Sequence, residues 1–213
     1  MVRSRILLAD DHLLVMEGLR KLLESEHDLV GTVEDGITLV NMAFELDPDI
    51  ILLDISMPML NGIEAARKIK KKLPACKLIF ITMHGDSTYV IEAFRAGASG
   101  YLLKRSAASE LSQAIQAVLN GQQYLSPLVT KDVLNPLLET SHNIPSKMGT
   151  LTTRQREVLQ LVAEGRSAKE IATILTISVK TVEFHKAQIM DQVGLHTTAD
   201  LTKYAVSHGI VSS

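Results

Sequence analysis

The first 120 residues alternate short apolar runs with segments in which apolar residues recur every three or four positions. The apolar runs predict five β-strands: Ile6–Ala9, Leu29–Val33, Ile50–Leu53, Leu78–Ile81 and Tyr101–Leu103. The segments between and after them predict five helices: Leu13–Leu23, Thr38–Leu46, Ile63–Lys70, Thr88–Phe94 and Ala107–Leu119. Because strands that are apolar throughout are covered on both faces, this alternation predicts an α/β domain with a doubly wound, five-stranded parallel sheet.

The pattern changes after Leu119, which predicts a second domain. Prolines at 127, 136 and 145 and the polar tract TSHNIPSKMGT at 140–150 are typical of a linker. From Leu151 onward every strong segment is short and helical, so we expect an all-α domain of four helices. The predicted division is a first domain at 1–122, a linker at 123–147 and a second domain at 148–213.

Composition narrows the classes of function. Hydrophobic residues make up 46% of the chain and charged residues 22%, as in globular proteins that bury real cores. The single cysteine, the lack of a signal-like N-terminus and the lack of an apolar run near the roughly 20 residues of a membrane span predict a cytoplasmic protein. The formal net charge of −2 divides into −4 for residues 1–146 and +2 for 147–213, which suits an acidic, cation-binding half joined to a mildly basic half.

Acidic and other polar residues stand where the predicted strands end. Asp10 and Asp11 follow the first strand, Asp54 the third, Thr82 the fourth and Lys104 the fifth. With strand order 2-1-3-4-5, strands 1 and 3 are neighbours, and ligands bind beyond their carboxyl ends. We therefore expect the three aspartates in one pocket, with Thr82 and Lys104 on its rim.

Three neighbouring carboxylates need a cation. Two like charges about 4 Å apart repel by roughly 4 kcal/mol at an effective dielectric near 20. A divalent ion, assisted by the Lys104 ammonium, offsets this repulsion, and an all-oxygen ligand set completed by water favours Mg²⁺. An aspartate such as Asp54 beside a metal and an ammonium is suited to accept a phosphoryl group, because positioning and charge neutralisation are most of what that transfer requires.

Four segments together resemble a known family: DD at 10–11, LLDISMPMLNGIEA at 52–65, FITMH at 80–84 and GYLLKR at 100–105. In order and spacing they resemble the receiver domain of bacterial response regulators, which has a flavodoxin-like fold, over about 120 residues. A single aspartate after a strand is more often a turn or cap residue, whereas the four segments together favour a phosphoacceptor. The resemblance implies that Asp54 accepts a phosphoryl group from a histidine kinase.

The same resemblance assigns roles to the neighbouring residues. It implies that Asp11, Asp54 and the backbone carbonyl of Ser56 bind Mg²⁺, with Asp10 acting mainly through water. It also implies that the Thr82 hydroxyl turns toward the phosphoryl group and that Tyr101 is the aromatic residue that moves with it.

One residue near the pocket departs from the family pattern, and two nearby histidines are expected to lie at the surface. Many receivers have a proline in a cis peptide bond after the lysine, where this chain has Arg105, so no switch that needs a cis bond is predicted here. We expect His12 at the surface at the start of the first helix and His84 in an exposed loop.

The C-terminal residues predict a helix-turn-helix. Within 151–195 a first helix ends at AEGRS, a second covers SAKEIATIL, and after the turn TIS a third runs from Val179 to about Gln192. Ser178 is the expected N-cap of the third helix, and Gly165 and Gly194 are expected helix terminators. Taken alone, such short amphipathic helices are more typical of a small bundle than of a DNA-binding domain.

The third helix has two distinct faces at about 100° per residue. Its apolar face comprises Val182, Ile189 and Val193, flanked by Val179 and Met190. The opposite face comprises Lys180, Thr181, Phe184, Ala187 and Gln188. This second face mixes a cation, a hydroxyl, an amide and two apolar groups that fit thymine methyls.

The segments LTTRQREVLQLVAEGRSAKEIA and ISVKTVEFHKAQIM closely resemble the LuxR-type helix-turn-helix of NarL/FixJ response regulators, over about 60 residues. The resemblance implies that the second face enters the major groove of DNA. Candidate phosphate contacts are Lys169, Lys186, Thr152 and Ser178. The chain departs from the family at Thr153, where proline is common, and at Ala168, which is often asparagine. In the family the last helix, here predicted at Ala199–His208, pairs two DNA-bound subunits, although packing within the domain explains its apolar residues equally well.

The two resemblances predict a two-component response regulator, a phosphorylation-controlled transcription factor. Its expected partners are a sensor histidine kinase, double-stranded promoter DNA and a second copy of the chain. Turnover of external substrates is not expected, because related phosphatases carry a second acid two residues after the nucleophile, where this chain has Ser56. Two alternatives stay open: a receiver that is not phosphorylated, and a phosphorelay or protein-binding module that acts without DNA.

Overall fold

The structure is a computed structural model that describes residues 3–130 and 151–211. The chain divides into two compact units, one built on a sheet and one made of the C-terminal helices. Most of the predicted linker lies outside the described residues. In the part of the chain that is described, no helix is both long and apolar enough to cross a bilayer.

The first unit follows the predicted alternation closely. Its strands are β1 (Arg5–Ala9), β2 (Asp28–Val33), β3 (Ile50–Leu53), β4 (Lys77–Thr82), β5 (Gly100–Leu103) and β6 (Tyr124–Leu125). Its helices are α1 (Leu13–Leu23), α2 (Gly36–Leu46), α3 (Gly62–Lys72), α4 (Ser87–Arg95) and α5 (Ala107–Leu119), and a 3-10 turn at Lys104–Ser106 precedes α5. Helix α2 begins two residues before its predicted start because the Asp35 side chain caps it, accepting from the Ile37 and Thr38 backbone N–H groups.

The strand order β2-β1-β3-β4-β5 confirms the predicted parallel topology, with β6 added beyond β5. The prediction of five strands was therefore one short. Strand β6 has only two residues in a polar context, too few for an alternation of apolar residues to reveal it. Ser126 fixes the segment after β6: its backbone N–H donates to the Tyr101 carbonyl at 2.9 Å, and its hydroxyl donates to Glu110 at 3.1 Å. Ordered structure thus extends into the predicted linker.

The core of this unit explains why the strands are apolar along their whole length. Helices α1 and α5 pack on one face, where their buried residues contact alternate residues of β1, β3, β4 and β5. Helices α2, α3 and α4 contact one another in turn. Each central strand is therefore covered on both faces, which leaves its carboxyl end as the place for polar residues.

The second unit has four helices within residues 151–211, as predicted: α6 (Thr153–Ala163), α7 (Ala168–Leu175), α8 (Val179–Val193) and α9 (Thr198–Ser207). Their ends carry the expected signals. The Ser178 side chain accepts from the Thr181 backbone N–H at the start of α8, and Gly194 ends that helix in the left-handed region at φ 69°. Gly165, at φ 79°, follows α6.

Candidate functional site

Backbone pairing brings the aspartates of β1 and β3 together. The register pairs Ala9 with Leu53, so Asp10 and Asp54 leave the sheet side by side, and the Asp54 backbone N–H donates to the Ala9 carbonyl at 2.9 Å. Asp10 and Asp54 are buried, with 1% and 2% of their surface exposed, whereas Asp11 is exposed. Ligand atoms of Asp10, Asp11, His12 and Asp54 all lie within 4.8 Å of one another. The three aspartates expected from the sequence do form one cluster.

Lys104 joins this cluster from β5. Thr82 pairs with Leu103 in the sheet, so Lys104 emerges at the same edge. Its Nζ donates to Asp54 Oδ2 at 2.7 Å and to Asp10 Oδ1 at 2.9 Å, and its side chain is only 6% exposed. Lys104 therefore lies inside the pocket rather than on its rim, because its long stem carries the ammonium in between the carboxylates.

The pocket is strongly polarised. Burial raises the pKa of the Asp10 carboxyl, and the hydrogen bond from Lys104 only partly opposes this. Burial lowers the pKa of Lys104, but its hydrogen bonds to Asp10 and Asp54 outweigh burial, so the net pKa shift is upward and the lysine stays charged. Three carboxylates beside one ammonium leave an excess of negative charge, which favours binding of a divalent cation.

His12 belongs to this cluster, although the sequence suggested only a surface residue. Its side chain is 59% exposed, so the surface position is correct. Its Nδ1, however, lies 2.7 Å from Asp11 Oδ1 and 3.1 Å from Asp10 Oδ1. His12 directly follows Asp10 and Asp11 in the sequence, and this adjacency is the sequence feature that could have predicted its place in the cluster.

His84 is half-buried and bridges two loops, so the expectation of an exposed loop histidine was wrong. Its Nε2 hydrogen-bonds the Ser56 hydroxyl at 2.9 Å, which joins the loops that follow β3 and β4. Its ring stacks on Tyr89 of α4 with the centroids 4.2 Å apart. Burial lowers the pKa of His84, while the nearby Asp54 charge acts in the opposite direction.

Thr82 and Tyr101, the two predicted switch residues, are both completely buried. The Thr82 hydroxyl accepts from the His84 backbone N–H at 3.4 Å, and the Tyr101 hydroxyl donates to the His84 carbonyl at 2.8 Å. Burial raises the pKa of Tyr101, so its phenol stays protonated and available to donate. Both residues thus contact the loop between β4 and α4, beside the cluster.

Gly62 begins α3 directly against the backbone of Asp54. Its N–H donates to the Ile55 carbonyl at 2.8 Å. A Cβ at this position would overlap the Asp54 carbonyl oxygen and would lie 2.9 Å from the Asp54 carbonyl carbon and 3.1 Å from the Ile55 Cα. Glycine is therefore required for α3 to approach the strand end that carries Asp54.

Helix α8 presents the two faces expected from its sequence. Val182 and Ile189 are buried, at 1% and 0% exposure, in the core of the second unit. On the opposite face Lys180, Phe184, Ala187 and Gln188 are exposed and Thr181 is half-buried. The Phe184 ring is 58% exposed, an unusual state for phenylalanine and one that suits contact with another molecule.

The predicted phosphate contacts occupy two kinds of position. Lys169 is exposed on α7 and Lys186 is half-buried on α8. Thr152 and Ser178 are exposed N-caps: Thr152 accepts from the Gln155 N–H at 3.3 Å, and Ser178 from the Thr181 N–H at 3.0 Å. Helix N-termini carry a partial positive charge, so both caps stand where a phosphate is favoured.

Comparison with known proteins identifies the family. Residues 6–116 match the response regulator receiver domain, and residues 149–205 match the bacterial regulatory proteins of the luxR family. The chain is a response regulator. This response regulator is 36% identical over 212 residues to the transcriptional regulatory protein MctR of Rhizobium johnstonii, covering 99% of this chain and 96% of MctR. It is also 36% identical over 209 residues to the oxygen regulatory protein NreC of Staphylococcus aureus, covering 95% and 96% of the two chains.

Solved structures of response regulators share this fold. The RcsB response regulator of Salmonella typhimurium matches with a TM-score of 0.66 and 29% identity over 98% of this chain and 99% of that chain. RcsB has also been solved bound to a promoter in the presence of the phosphomimetic BeF3⁻, and that structure matches with a TM-score of 0.62 and 28% identity over 95% of this chain and 98% of that chain.

Proposed function

We propose that this response regulator is a transcription factor controlled by phosphorylation of Asp54. The main observation that supports this proposal is a cluster of side chains at the carboxyl ends of the strands, formed by Asp10, Asp11, Asp54 and Lys104. We assign Asp54 as the nucleophile of this cluster; Lys104 contacts one of its carboxylate oxygens, and the Ile55 N–H donates to the other at 2.6 Å. A sensor histidine kinase is the proposed source of the phosphoryl group.

The donor set fits Mg²⁺. Carboxylate oxygens within 4.8 Å of one another agree with an octahedral site whose metal–oxygen distances are about 2.1 Å. Asp11, Asp54 and the Ser56 backbone carbonyl are the proposed ligands, with Asp10 acting mainly through water. A bound Mg²⁺ would supply charge neutralisation at the phosphoryl oxygens.

The chain's own residues supply the other requirements of the transfer. Lys104 forms ion pairs with both Asp10 and Asp54. We propose that its ammonium also binds an oxygen of the incoming phosphoryl group and stabilises the negative charge there. The Thr82 hydroxyl and the Tyr101 phenol both contact the His84 backbone, so movement of either residue changes the loop before α4. We propose that Thr82 turns toward the phosphoryl group and that Tyr101 moves with it, which shifts an existing equilibrium toward the DNA-binding form.

The second unit is the proposed DNA reader. Lys180, Thr181, Phe184, Ala187 and Gln188 form the face for the major groove, with Lys169, Lys186, Thr152 and Ser178 at the phosphates. The relative RcsB, solved on promoter DNA, supports this role. We propose that the protein binds DNA as a homodimer and that it acts in the cytoplasm. The proposed domain division is a receiver at 1–122, a linker at 123–147 and a DNA-binding domain at 148–213. Strand β6, at the start of the linker range, adds to the sheet of the receiver.

We do not expect the protein to hydrolyse external phosphate esters. Ser56 stands two residues after Asp54, where related phosphatases have an acid, and its hydroxyl is engaged by His84. The phosphoryl group is thus accepted on the protein's own aspartate.

The deciding experiment measures DNA affinity with and without a phosphoryl mimic. Promoter fragments selected from the genome by the native protein are titrated at several salt concentrations, in the presence of Mg²⁺ with or without beryllofluoride. We expect tighter binding with beryllofluoride and a steep fall in affinity as salt rises, because phosphate contacts release counterions. A DNA affinity that changes neither with beryllofluoride nor with salt concentration would contradict the proposal.

Replacing Lys180 and Gln188 together with alanine tests the proposed face of α8. Each group is expected to contribute about 1–3 kcal/mol to specific binding, so the double variant is expected to lose on the order of 100-fold in affinity for its selected site. Both side chains are exposed, so the free energy of unfolding and the Mg²⁺ affinity of the first unit should stay unchanged. Native-like affinity in the double variant would show that another surface reads DNA.

A further inference from the structure

Glu183 lies on α8 beside the face proposed to read DNA. Lys180 precedes it by three residues and Ala187 follows it by four, so both are its neighbours on the surface of the helix. All three residues are exposed. Glu183 stands in the second turn of α8, and the N-terminal part of a recognition helix is the part that reaches base edges. A carboxylate is therefore present where the bases are expected to come closest.

The Glu183 carboxylate is not engaged within its own domain. Lys180 and Lys186 lie three residues before and after it, a spacing at which ion pairs form on a helix. Among the residues that the structure describes, however, Glu183 has neither an ion pair nor a hydrogen bond. Beside DNA such a carboxylate is repelled by the phosphates. A hydrogen-bond donor on a base is the group that would offset this repulsion.

The major groove offers such donors on two bases. Cytosine presents its N4 amino group there without a neighbouring acceptor, whereas adenine presents its N6 amino group next to the N7 acceptor. The second oxygen of a carboxylate is repelled by adenine N7, as it is by the acceptors of guanine and thymine. Cytosine is therefore the base that best fits a glutamate.

We propose that Glu183 is a specificity residue that selects a C·G base pair, with its carboxylate accepting a hydrogen bond from cytosine N4. The inference rests on the proposed DNA-binding role of α8 and adds a base preference to it. Lys180 is the matching cation, because the guanine of the same pair presents the acceptors O6 and N7. The small side chain of Ala187 leaves room beside Glu183 for the base edge to approach.

Loss of this contact is expected to change base preference more than overall affinity. A good base contact discriminates against the wrong base by roughly 5- to 150-fold. Removal of a negative charge from the surface that faces DNA strengthens the attraction to phosphates on every sequence. Glu183→Ala is therefore expected to bind non-selected DNA more tightly than the native protein does, while its preference for the C·G pair disappears.

The test selects binding sites from a random pool of DNA duplexes, with the full chain in the presence of Mg²⁺ and beryllofluoride. The native protein is expected to select a site that contains a C·G pair. Glu183→Ala should lose the preference at that pair and keep the other preferences. Glu183→Gln should shift the preference at that pair toward adenine, because an amide binds both N6 and N7 of adenine.

Asp191→Ala is the matched control. Asp191 is an exposed carboxylate on the same helix, about 12 Å further along its axis than Glu183. Its replacement removes the same charge and should leave every base preference unchanged. The control thus separates the reading of a base from a general change in charge.

A modified base tests the hydrogen bond itself. N4-methylcytosine still pairs with guanine, but a methyl group replaces the amino hydrogen that faces the major groove. With this base at the C·G pair, the dissociation constant of the native protein is expected to rise roughly tenfold, and that of Glu183→Ala to change much less.

The outcomes separate this inference from the proposed function. If no C·G preference in the selected site depends on residue 183, if Asp191→Ala loses the same preference, or if N4-methylcytosine weakens native protein and Glu183→Ala equally, the inference is overturned while α8 keeps its proposed role. If the native protein selects no site and its DNA affinity does not fall as salt rises, the DNA-binding role itself is lost.

Discussion

The Asp54→Asn variant is expected to lose phosphoryl uptake completely, a drop of more than about 1,000-fold in rate with either a kinase or a small phosphodonor. The amide is a far weaker nucleophile than the carboxylate and removes one negative charge from the cluster. Mg²⁺ affinity should fall as well, because one of the proposed ligands becomes neutral. Intact-protein mass spectrometry measures the first effect, and metal titration measures the second.

A matched variant keeps this experiment specific. Asp47 precedes β3 whereas Asp54 follows it, so the two aspartates stand at opposite ends of one strand. Asp47 is exposed and adopts the left-handed region at φ 44°, which asparagine tolerates. Asp47→Asn should therefore be phosphorylated like the native protein. Phosphorylation that survives in Asp54→Asn would move the acceptor to another residue, with Asp10 and Asp11 as the nearest carboxylates.

Gly62→Ala is expected to be the most damaging single-methyl change near the site, costing on the order of 4 kcal/mol in the free energy of unfolding. The added Cβ meets the backbone of Asp54 and Ile55, which cannot turn aside as a side chain can. If the variant folds, α3 has to move away from the strand end, so phosphoryl uptake should fall together with stability. Denaturant unfolding and the rate of phosphorylation measure the two effects.

Gly18 supplies the control. It lies in the middle of α1, where a Cβ would meet no atom within 4 Å. Gly18→Ala is therefore expected to stabilise the protein by about 0.5–1 kcal/mol, since alanine is the better helix former. A Gly62→Ala variant as stable as Gly18→Ala would mean that the approach of α3 to Asp54 is looser than the structure indicates.

The sheet was predictable because its strands are apolar along their whole length. A short run of consecutive apolar residues such as Ile50–Leu53 is typical of a parallel strand that is covered on both faces. Once the strand order is known, the residues that follow neighbouring strands are expected to lie close together at the carboxyl ends of the strands. That reasoning placed Asp10 and Asp54 in one pocket, with Lys104 on its rim. It placed Lys104 too far out, because a strand end fixes a Cα but not where a long, flexible stem carries its charge.

What escaped prediction depends on contacts between loops. The bond between His84 and Ser56 and the stacking of His84 on Tyr89 join residues from separate segments, and no periodicity of apolar residues encodes such pairs. Phe184 shows the opposite case. Its exposure follows directly from its angular position on α8, because a helix fixes the direction of every side chain.

Strand β6 bears on where this chain can be divided for study. Gly100 and Tyr101 pair with Tyr124 and Leu125, and Ser126 completes the ladder with a bond to the Tyr101 carbonyl. A fragment ended at residue 122 would strip these partners away and leave an open sheet edge, a known route to aggregation. A fragment carried through residue 130 keeps that edge covered, so experiments on the isolated receiver should begin with the longer piece.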